Sequence, residues 1–231
     1  MERRAFLRFC GAAAAAAGST GLAADVRPQL YQRARLLDPG GKPLLASAVP
    51  ANRTLIFHYP YAATPCFLLN LGRPASAATT LRTADNQSYE WKGGVGAGRS
   101  VVAYSAICAH KLTYPTRDIS FISFRAEKGV GNKHANVIHC CSEHSQYDPA
   151  EGARVVAGPA PQPLASILLE HDEKSDQLFA VGTLGGEMFN EFFSKFGFKL
   201  QLEHGGDPKS SVAGSSVVQA LENYCKQQVK C

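Results

Sequence analysis

The sequence predicts a mainly antiparallel β protein with a short helical tail. Short runs rich in β-branched and aromatic residues recur along the chain, and Gly, Pro and Asn separate them. Residues 172–176 form a polar turn between two such runs, which is typical of a β-hairpin. The predicted strands cover residues 54–59, 66–71, 100–108, 119–124, 136–140, 166–171 and 177–181.

The first residues have the pattern of an export signal. Arg3 and Arg4 precede an alanine-rich apolar run that ends near Ala23 in small residues. This order resembles a twin-arginine signal, which implies delivery of a folded protein to the periplasm. Residues 1–23 are therefore predicted to be a signal and 24–50 a polar N-terminal segment. Two alternatives stay open, namely retention of the leader as a membrane anchor and a cytosolic start with chance arginines.

The rest of the chain divides into a main domain and an extension. Residues 51–186 are predicted to form the β domain, and residues 187–231 the C-terminal extension. Aromatic residues between 188 and 196 recur at helical spacing, and residues 216–229 also carry a helix-like apolar stripe. The chain is 45% apolar and 19% charged with a net charge of +5, which is typical of a soluble globular protein and too weakly basic to indicate nucleic-acid binding.

The seven cysteines are spaced too unevenly for a small disulfide scaffold. Cys66 and Cys140 are interpreted as buried thiols. A bridge between Cys225 and Cys231 is slightly favoured over two free thiols.

Two short segments carry the ligand types of a metal centre. Cys108 and His110 are separated by one residue, and Cys141 and His144 by two. A [2Fe-2S] cluster with two thiolates on one iron and two imidazoles on the other needs one Cys and one His from each of two loops. A structural zinc site uses the same ligands, although a one-residue gap is tight for a zinc knuckle.

The residues after His144 continue into a turn, a strand and the sequence Gly-Pro-Ala-Pro at 158–161. With these motifs, residues 101–181 resemble the Rieske domain family. The resemblance implies an all-β, Rieske-type antiparallel sandwich with a cluster-binding part at about 104–161, a [2Fe-2S] cluster on Cys108, His110, Cys141 and His144, and one-electron transfer. Gly158 and Pro159 would belong to the loop that closes over the cluster.

Residues 57–66 and 94–105 look more specifically like the Rieske small subunit of arsenite oxidase. That likeness implies an iron–sulfur subunit of a periplasmic oxidoreductase, rather than a catalyst alone. Its partners would be a catalytic redox subunit, a c-type cytochrome or both. The alternatives are the Rieske subunit of a quinol:cytochrome c reductase and a zinc-stapled binding module. A ring-hydroxylating oxygenase is disfavoured because the residues after 181 are too few for a second iron domain.

The sequence departs from the family at several positions near the cluster. Thr113 and Glu143 occupy the places of two bridged cysteines in respiratory relatives, and Gln146 and Asp148 replace a serine and a tyrosine. The loss of two hydroxyl donors predicts a lowered reduction potential, with Tyr147 one residue out of register.

A cation and an insertion also distinguish this chain. Lys111, beside the first histidine, favours an acidic partner or is simply a solvated loop lysine. Residues 127–136 are predicted to be an inserted hairpin tip.

Overall fold

The computed structural model describes residues 26–129 and 133–231. The predicted signal lies outside the described residues, and the predicted insertion lies partly outside them. Sixteen strands and two α-helices are present in this part of the chain, besides two short 3₁₀ turns. In chain order the strands are β1 (Gln29–Leu37), β2 (Leu55–His58), β3 (Pro65–Asn70), β4 (Thr79–Arg82), β5 (Ser88–Trp91), β6 (Val101–Ser105), β7 (Ile119–Ser120), β8 (Ile122–Arg125), β9 (Val137–Cys140), β10 (Ser145–Asp148), β11 (Arg154–Ala157), β12 (Ser166–Asp172), β13 (Gln177–Leu184), β14 (Gly214–Val217), β15 (Gln219–Ala220) and β16 (Gln227–Gln228). The helices are α1 (Phe189–His204) and the single turn α2 (Leu221–Tyr224).

The prediction of an all-β fold is confirmed. Eight strands form the largest sheet in the order β14-β1-β13-β12-β6-β3-β2-β15, and the predicted hairpin around residues 172–176 joins β12 to β13. Strand β1 comes from the N-terminal segment at 24–50, for which the sequence predicted no strand. Most of its side chains are exposed and only Ala34 and Leu36 are buried, so the segment lacks the apolar content of a core strand.

Successive side chains of the central strands point alternately into two hydrophobic cores, one on each face of the large sheet. Phe67 and Tyr104 face one core, whereas their neighbours Leu68 and Ala103 face the other. Because successive side chains of a strand point to opposite faces, each central strand packs on both sides. The loops that follow the central strands therefore begin from strands that are packed on both faces.

A second sheet, ordered β11-β10-β9-β8, covers one face of the large sheet. Ile122 and Ile138 from this sheet are fully buried in the same core as Phe67 and Tyr104. Strands β8 and β9 pair antiparallel, so Arg125 and Val137 end the two arms of a hairpin, and the predicted tip at 127–136 falls between them in the sequence.

The C-terminal extension is partly as predicted. The aromatic repeat forms α1, whose Phe192 and Phe193 pack on Ile107 and Tyr114. The prediction of a helix over 216–229 is wrong, because those residues form β14, β15, α2 and β16 instead. Short backbone pairings with β1, β2 and β7 replace the long helix. Among the described helices, none combines the length and hydrophobicity needed to cross a membrane.

Candidate metal centre

The first ligand-bearing loop comprises residues 107–113, between β6 and β7. The amide of Cys108 donates to the Thr113 carbonyl at 2.8 Å, and the amide of Leu112 donates to the Cys108 carbonyl at 3.0 Å. These bonds close the loop on itself. Cys108 is fully buried, and His110 is partly exposed at the tip.

The second ligand-bearing loop comprises residues 141–144, between β9 and β10. Cys140 and Ser145 pair across the hairpin immediately before and after it. The amide of Cys141 donates to the Phe121 carbonyl at 2.6 Å, and His144 is exposed with a φ of 58°. The loop is thus a four-residue turn whose last residue adopts a left-handed conformation.

The two loops bring Cys108 and Cys140 together. Their thiols are hydrogen-bonded to each other, and both side chains are fully buried. The Tyr147 hydroxyl lies 3.2 Å from the Cys108 Sγ and accepts the amide N–H of Ala109 at 3.2 Å. Two buried thiols and one phenol therefore meet at a single point between the loops.

Polar groups surround both sulfurs in the same way. The hydrogen bond from the Cys140 thiol lowers the pKa of Cys108, and the Tyr147 hydroxyl and the amides of His110 and Lys111 act in the same direction. The amides of Ser142 and Glu143 are aimed at Cys140 in the same relative positions, two and three residues after the cysteine. Amide and hydroxyl donors favour the thiolate, which is the metal-binding form of cysteine. The pKa of Cys140 is nevertheless raised, first by its hydrogen bond to Cys108 and then by burial, so Cys108 is the thiol that deprotonates first.

The structure contradicts the prediction that Cys141 is a ligand. Cys141 forms a disulfide with Cys231, with a Cα–Cα distance of 5.7 Å. Because Cys140 and Cys141 are adjacent at the end of β9, they point to opposite faces, and Cys140 is the one that faces Cys108. A disulfide sulfur is not a thiolate, so Cys140 replaces Cys141 in the candidate site.

The favoured bridge between Cys225 and Cys231 is also wrong. Cys231 is joined to Cys141, and Cys225 is a buried free thiol. Its Sγ lies 3.3 Å from the Leu221 carbonyl, as a donor would. Cys66 is a fully buried free thiol, as the sequence predicted.

Two of the eight buried side-chain polar atoms that lack a partner among the described residues belong to residues next to the site cysteines. The His110 Nδ1 and the Ser145 Oγ have no hydrogen-bond partner among the described residues. Buried polar atoms without a partner are rare in folded proteins, because each costs about 1–3 kcal/mol. A cofactor with an imidazole-binding iron and hydrogen-bond-accepting sulfurs would satisfy both atoms.

Gly158 brings a third segment against the second loop. A Cβ at this position would lie 2.5 Å from the His144 carbonyl oxygen and 2.5 Å from the Ser145 Cα, and the φ of Gly158 is 86°. Only glycine allows this approach. The loop at 158–161 therefore lies directly against the hairpin, with Pro159 exposed beside it.

An ion pair joins the tips of the two loops. The Lys111 Nζ lies 3.1 Å from a Glu143 carboxylate oxygen, and the Lys195 Nζ of α1 donates to the Lys111 carbonyl at 3.1 Å. Lys111 is 59% exposed and Glu143 is 32% exposed, so this ion pair contributes little to stability. Lys111, which was predicted to favour an acidic partner or to be a solvated loop lysine, is exposed and has its charge paired with that of Glu143.

The structure also changes the register of the hydroxyl donors. The sequence placed Gln146 and Asp148 at the two hydroxyl positions, but the Tyr147 hydroxyl contacts the Cys108 sulfur, and Ser145 is the residue paired with Cys140 across the hairpin. Tyr147 thus supplies one hydroxyl to the site despite the change of register, and the lowered potential stays a prediction. Gln146 is buried, and its Oε1 has no partner within the described part of the chain.

We expect Tyr147→Phe to lower the reduction potential of the centre. Removal of the hydroxyl takes away one hydrogen bond to Cys108, and hydrogen bonds to ligand sulfurs raise the potential. One hydrogen bond of about 0.5–1.5 kcal/mol corresponds to roughly 20–60 mV for one electron. Redox titration followed by electron paramagnetic resonance (EPR) measures the shift, with Tyr89→Phe as the control because the Tyr89 hydroxyl has no partner among the described residues. An unchanged potential in Tyr147→Phe would contradict the assignment.

The structure brings Cys108 and Tyr147 together, and the sequence had placed both near the cluster. The ring of His144 lies 5.9 Å from the ring of His139, so the assignment of His144 as a cluster ligand stays a prediction. Sequence reasoning missed Cys140, Ser145 and Cys231. The alternation of side chains along the strand after the second loop could have indicated the first two of these residues. If Tyr147 faces the core, strand alternation places Ser145 on the same face, and the pairing of Ser145 then brings in Cys140. No comparable signal connects Cys231 to Cys141, because 90 residues separate them.

No protein-family model matches the chain. The soluble domain of the Rieske protein II (soxF) from Sulfolobus acidocaldarius is similar at 27% sequence identity and a TM-score of 0.46, over 66% of this chain and 78% of that chain.

Proposed function

We propose that this protein is a one-electron carrier that holds a Rieske-type [2Fe-2S] cluster between its two loops. Cys108 and Cys140 would supply the thiolates, and His110 and His144 the imidazoles. The contact between the buried Cys108 and Cys140 thiols carries the proposal, because His110 and His144 follow these cysteines by two and four residues.

The donors around the sulfurs also support an iron–sulfur site over a zinc site. Each cysteine has two backbone amides aimed at it, and Cys108 also has the Tyr147 hydroxyl. When bound, a [2Fe-2S] cluster supplies a one-electron couple, with the histidine ligands on one of its two irons. The chain orients the ligands, keeps water from the buried cysteines and leaves the His144 ring exposed for electron exchange.

The partner and location are further parts of this proposal. The chain would receive electrons from a catalytic redox subunit and pass them to a c-type cytochrome in the periplasm, after twin-arginine export. The Cys141–Cys231 disulfide supports an oxidising compartment, because such bridges persist mainly outside the cytoplasm. The Lys111–Glu143 pair makes the exposed end of the loops charged, which favours a polar protein partner over a quinone pocket.

Spectroscopy of the anaerobically purified protein tests the function. We expect two irons and two sulfides per chain and an EPR signal after reduction. Zinc in stoichiometric amount with a silent reduced sample would contradict the proposal.

Two variants of the second loop test the histidine assignment. His144→Ala is expected to abolish the spectrum, whereas Glu143→Gln should retain it because Glu143 is paired with Lys111. The opposite result would assign Glu143 as the ligand.

A further inference from the structure

The residues around the Cys141–Cys231 bridge form a second cluster of metal-binding side chains, on the opposite face of β9 from Cys140. Nδ1 or Nε2 of His139 and the sulfurs of Cys141 and Cys231 all lie within 4.8 Å of one another. His139 is fully buried, and both of its ring nitrogens lie 3.6 Å from the Cys231 Sγ. His139 and Cys141 share this face because they are two residues apart on one strand.

The surrounding backbone holds Cys231 in place independently of the disulfide. We call residues 225–231 the C-terminal strap. Its strand β16 runs parallel to β7, and the Val229 amide donates to the Ser120 carbonyl at 2.8 Å. The Arg125 guanidinium donates to the Val229 carbonyl, and Lys226 forms an ion pair with Asp118 at 2.8 Å.

We propose that the thiol form of this cluster is a zinc site, with His139, Cys141 and Cys231 as ligands. Two thiolates and one imidazole are ligands that Zn²⁺ favours, and three protein ligands leave one position for water. The 4.8 Å limit on the separations suits a tetrahedral ion, whose ligands lie about 2.0–2.3 Å from the metal. The strap keeps the third ligand near the other two when the bridge is open.

The two forms interconvert by ordinary thiol chemistry. A dithiol reductant transfers two electrons and two protons to the Cys141–Cys231 bridge, which gives two thiols and leaves the reductant as a cyclic disulfide. Binding of Zn²⁺ to these thiols then releases two protons and forms two zinc–sulfur bonds. The ion would therefore take over the cross-link between the strap and the second loop when the disulfide is absent.

This site shares no ligand with the proposed cluster, although the ring of His144 lies 5.9 Å from the ring of His139, and variants can distinguish the two. Cys231→Ser and His139→Gln each remove a zinc ligand, whereas Cys140→Ser removes a proposed cluster ligand. Cys225→Ser is the matched control, because Cys225 is a free thiol in the same strap. Circular dichroism confirms the fold of each variant, and Cys231→Ser provides the test if the buried His139 variant does not fold.

The experiment titrates the full chain with Zn²⁺ or Co²⁺ after treatment with a dithiol and removal of the reductant. We expect one ion per chain, with the sulfur-to-cobalt absorption of a tetrahedral thiolate site for Co²⁺. Stoichiometric binding should be lost in Cys231→Ser and His139→Gln and retained in Cys140→Ser and Cys225→Ser. The proposal is overturned if the reduced wild-type chain binds no ion, or if binding is lost in Cys140→Ser but unaffected in Cys231→Ser. Neither result depends on whether the iron–sulfur spectrum is present.

Discussion

Cys140→Ser is expected to abolish the iron–sulfur spectrum, while Cys141→Ser leaves it in place. The Cys140 thiol is hydrogen-bonded to the buried Cys108 thiol, whereas the Cys141 sulfur is bonded to Cys231. Serine provides no thiolate, so its oxygen would have to replace a ligand sulfur at one iron. Iron and sulfide analysis together with EPR after reduction measures the outcome.

The adjacent cysteines make this a closely matched comparison. Both variants remove one sulfur from the same end of β9, and they differ only in the face that is changed. Cys141→Ser frees Cys231 and is expected to lower thermal stability, because the bridge closes a loop of 90 residues. Loss of the spectrum in Cys141→Ser and its retention in Cys140→Ser would show that the ligand assignment from the structure is wrong.

Gly158→Ala is expected to destabilise the protein by about 2–5 kcal/mol and to perturb the centre. The added Cβ would meet the backbone of His144 and Ser145 at 2.5 Å, and alanine is strained at a φ of 86°. The displaced hairpin would carry the exposed His144 away from its position. Denaturant unfolding measures the stability, and the shape of the EPR signal reports the ligand geometry.

Gly205→Ala separates the two causes of this effect. Gly205 follows α1 with a φ of 66°, but a Cβ there would have no neighbour within 4 Å. Its substitution therefore costs only the left-handed conformation, about 1–2 kcal/mol. Equal losses in the two variants would contradict the close approach at Gly158.

Regular elements were predictable where the local pattern agreed with the packing. The β12–β13 hairpin has apolar runs on both sides of a polar turn, and the aromatic repeat of α1 buries Phe189, Phe192 and Phe193. Strand β1 was missed because its place in the sheet depends on backbone pairing with β13 rather than on its own burial. The last segment was predicted as a helix because its apolar spacing fitted one, but pairing with distant strands overrides that local preference.

The candidate site was predictable only in part, because the sequence did not indicate Cys140, Ser145 or Cys231. The close spacing of Cys108 and His110 was sufficient for the first loop. In the second loop, Cys140 and Cys141 can each precede His144, and the choice depends on which face of β9 meets the core. That face is set by the pairing of β9 with β8 and β10, and sequence spacing alone does not contain this information.

The placement of Cys140 and Cys141 on opposite faces of β9 also separates the proposed cluster ligand from the disulfide, so that the two do not undergo thiol–disulfide exchange. A thiolate exchanges with a disulfide only when it can attack one of the bridged sulfurs directly. Cys140 is the nearest thiol to the Cys141–Cys231 bridge in sequence, but it points into the core while β9 is paired on both edges. The hydrogen bonds of this strand thus keep the proposed one-electron centre from being consumed by exchange with the bridge, although the two cysteines are joined by a single peptide bond.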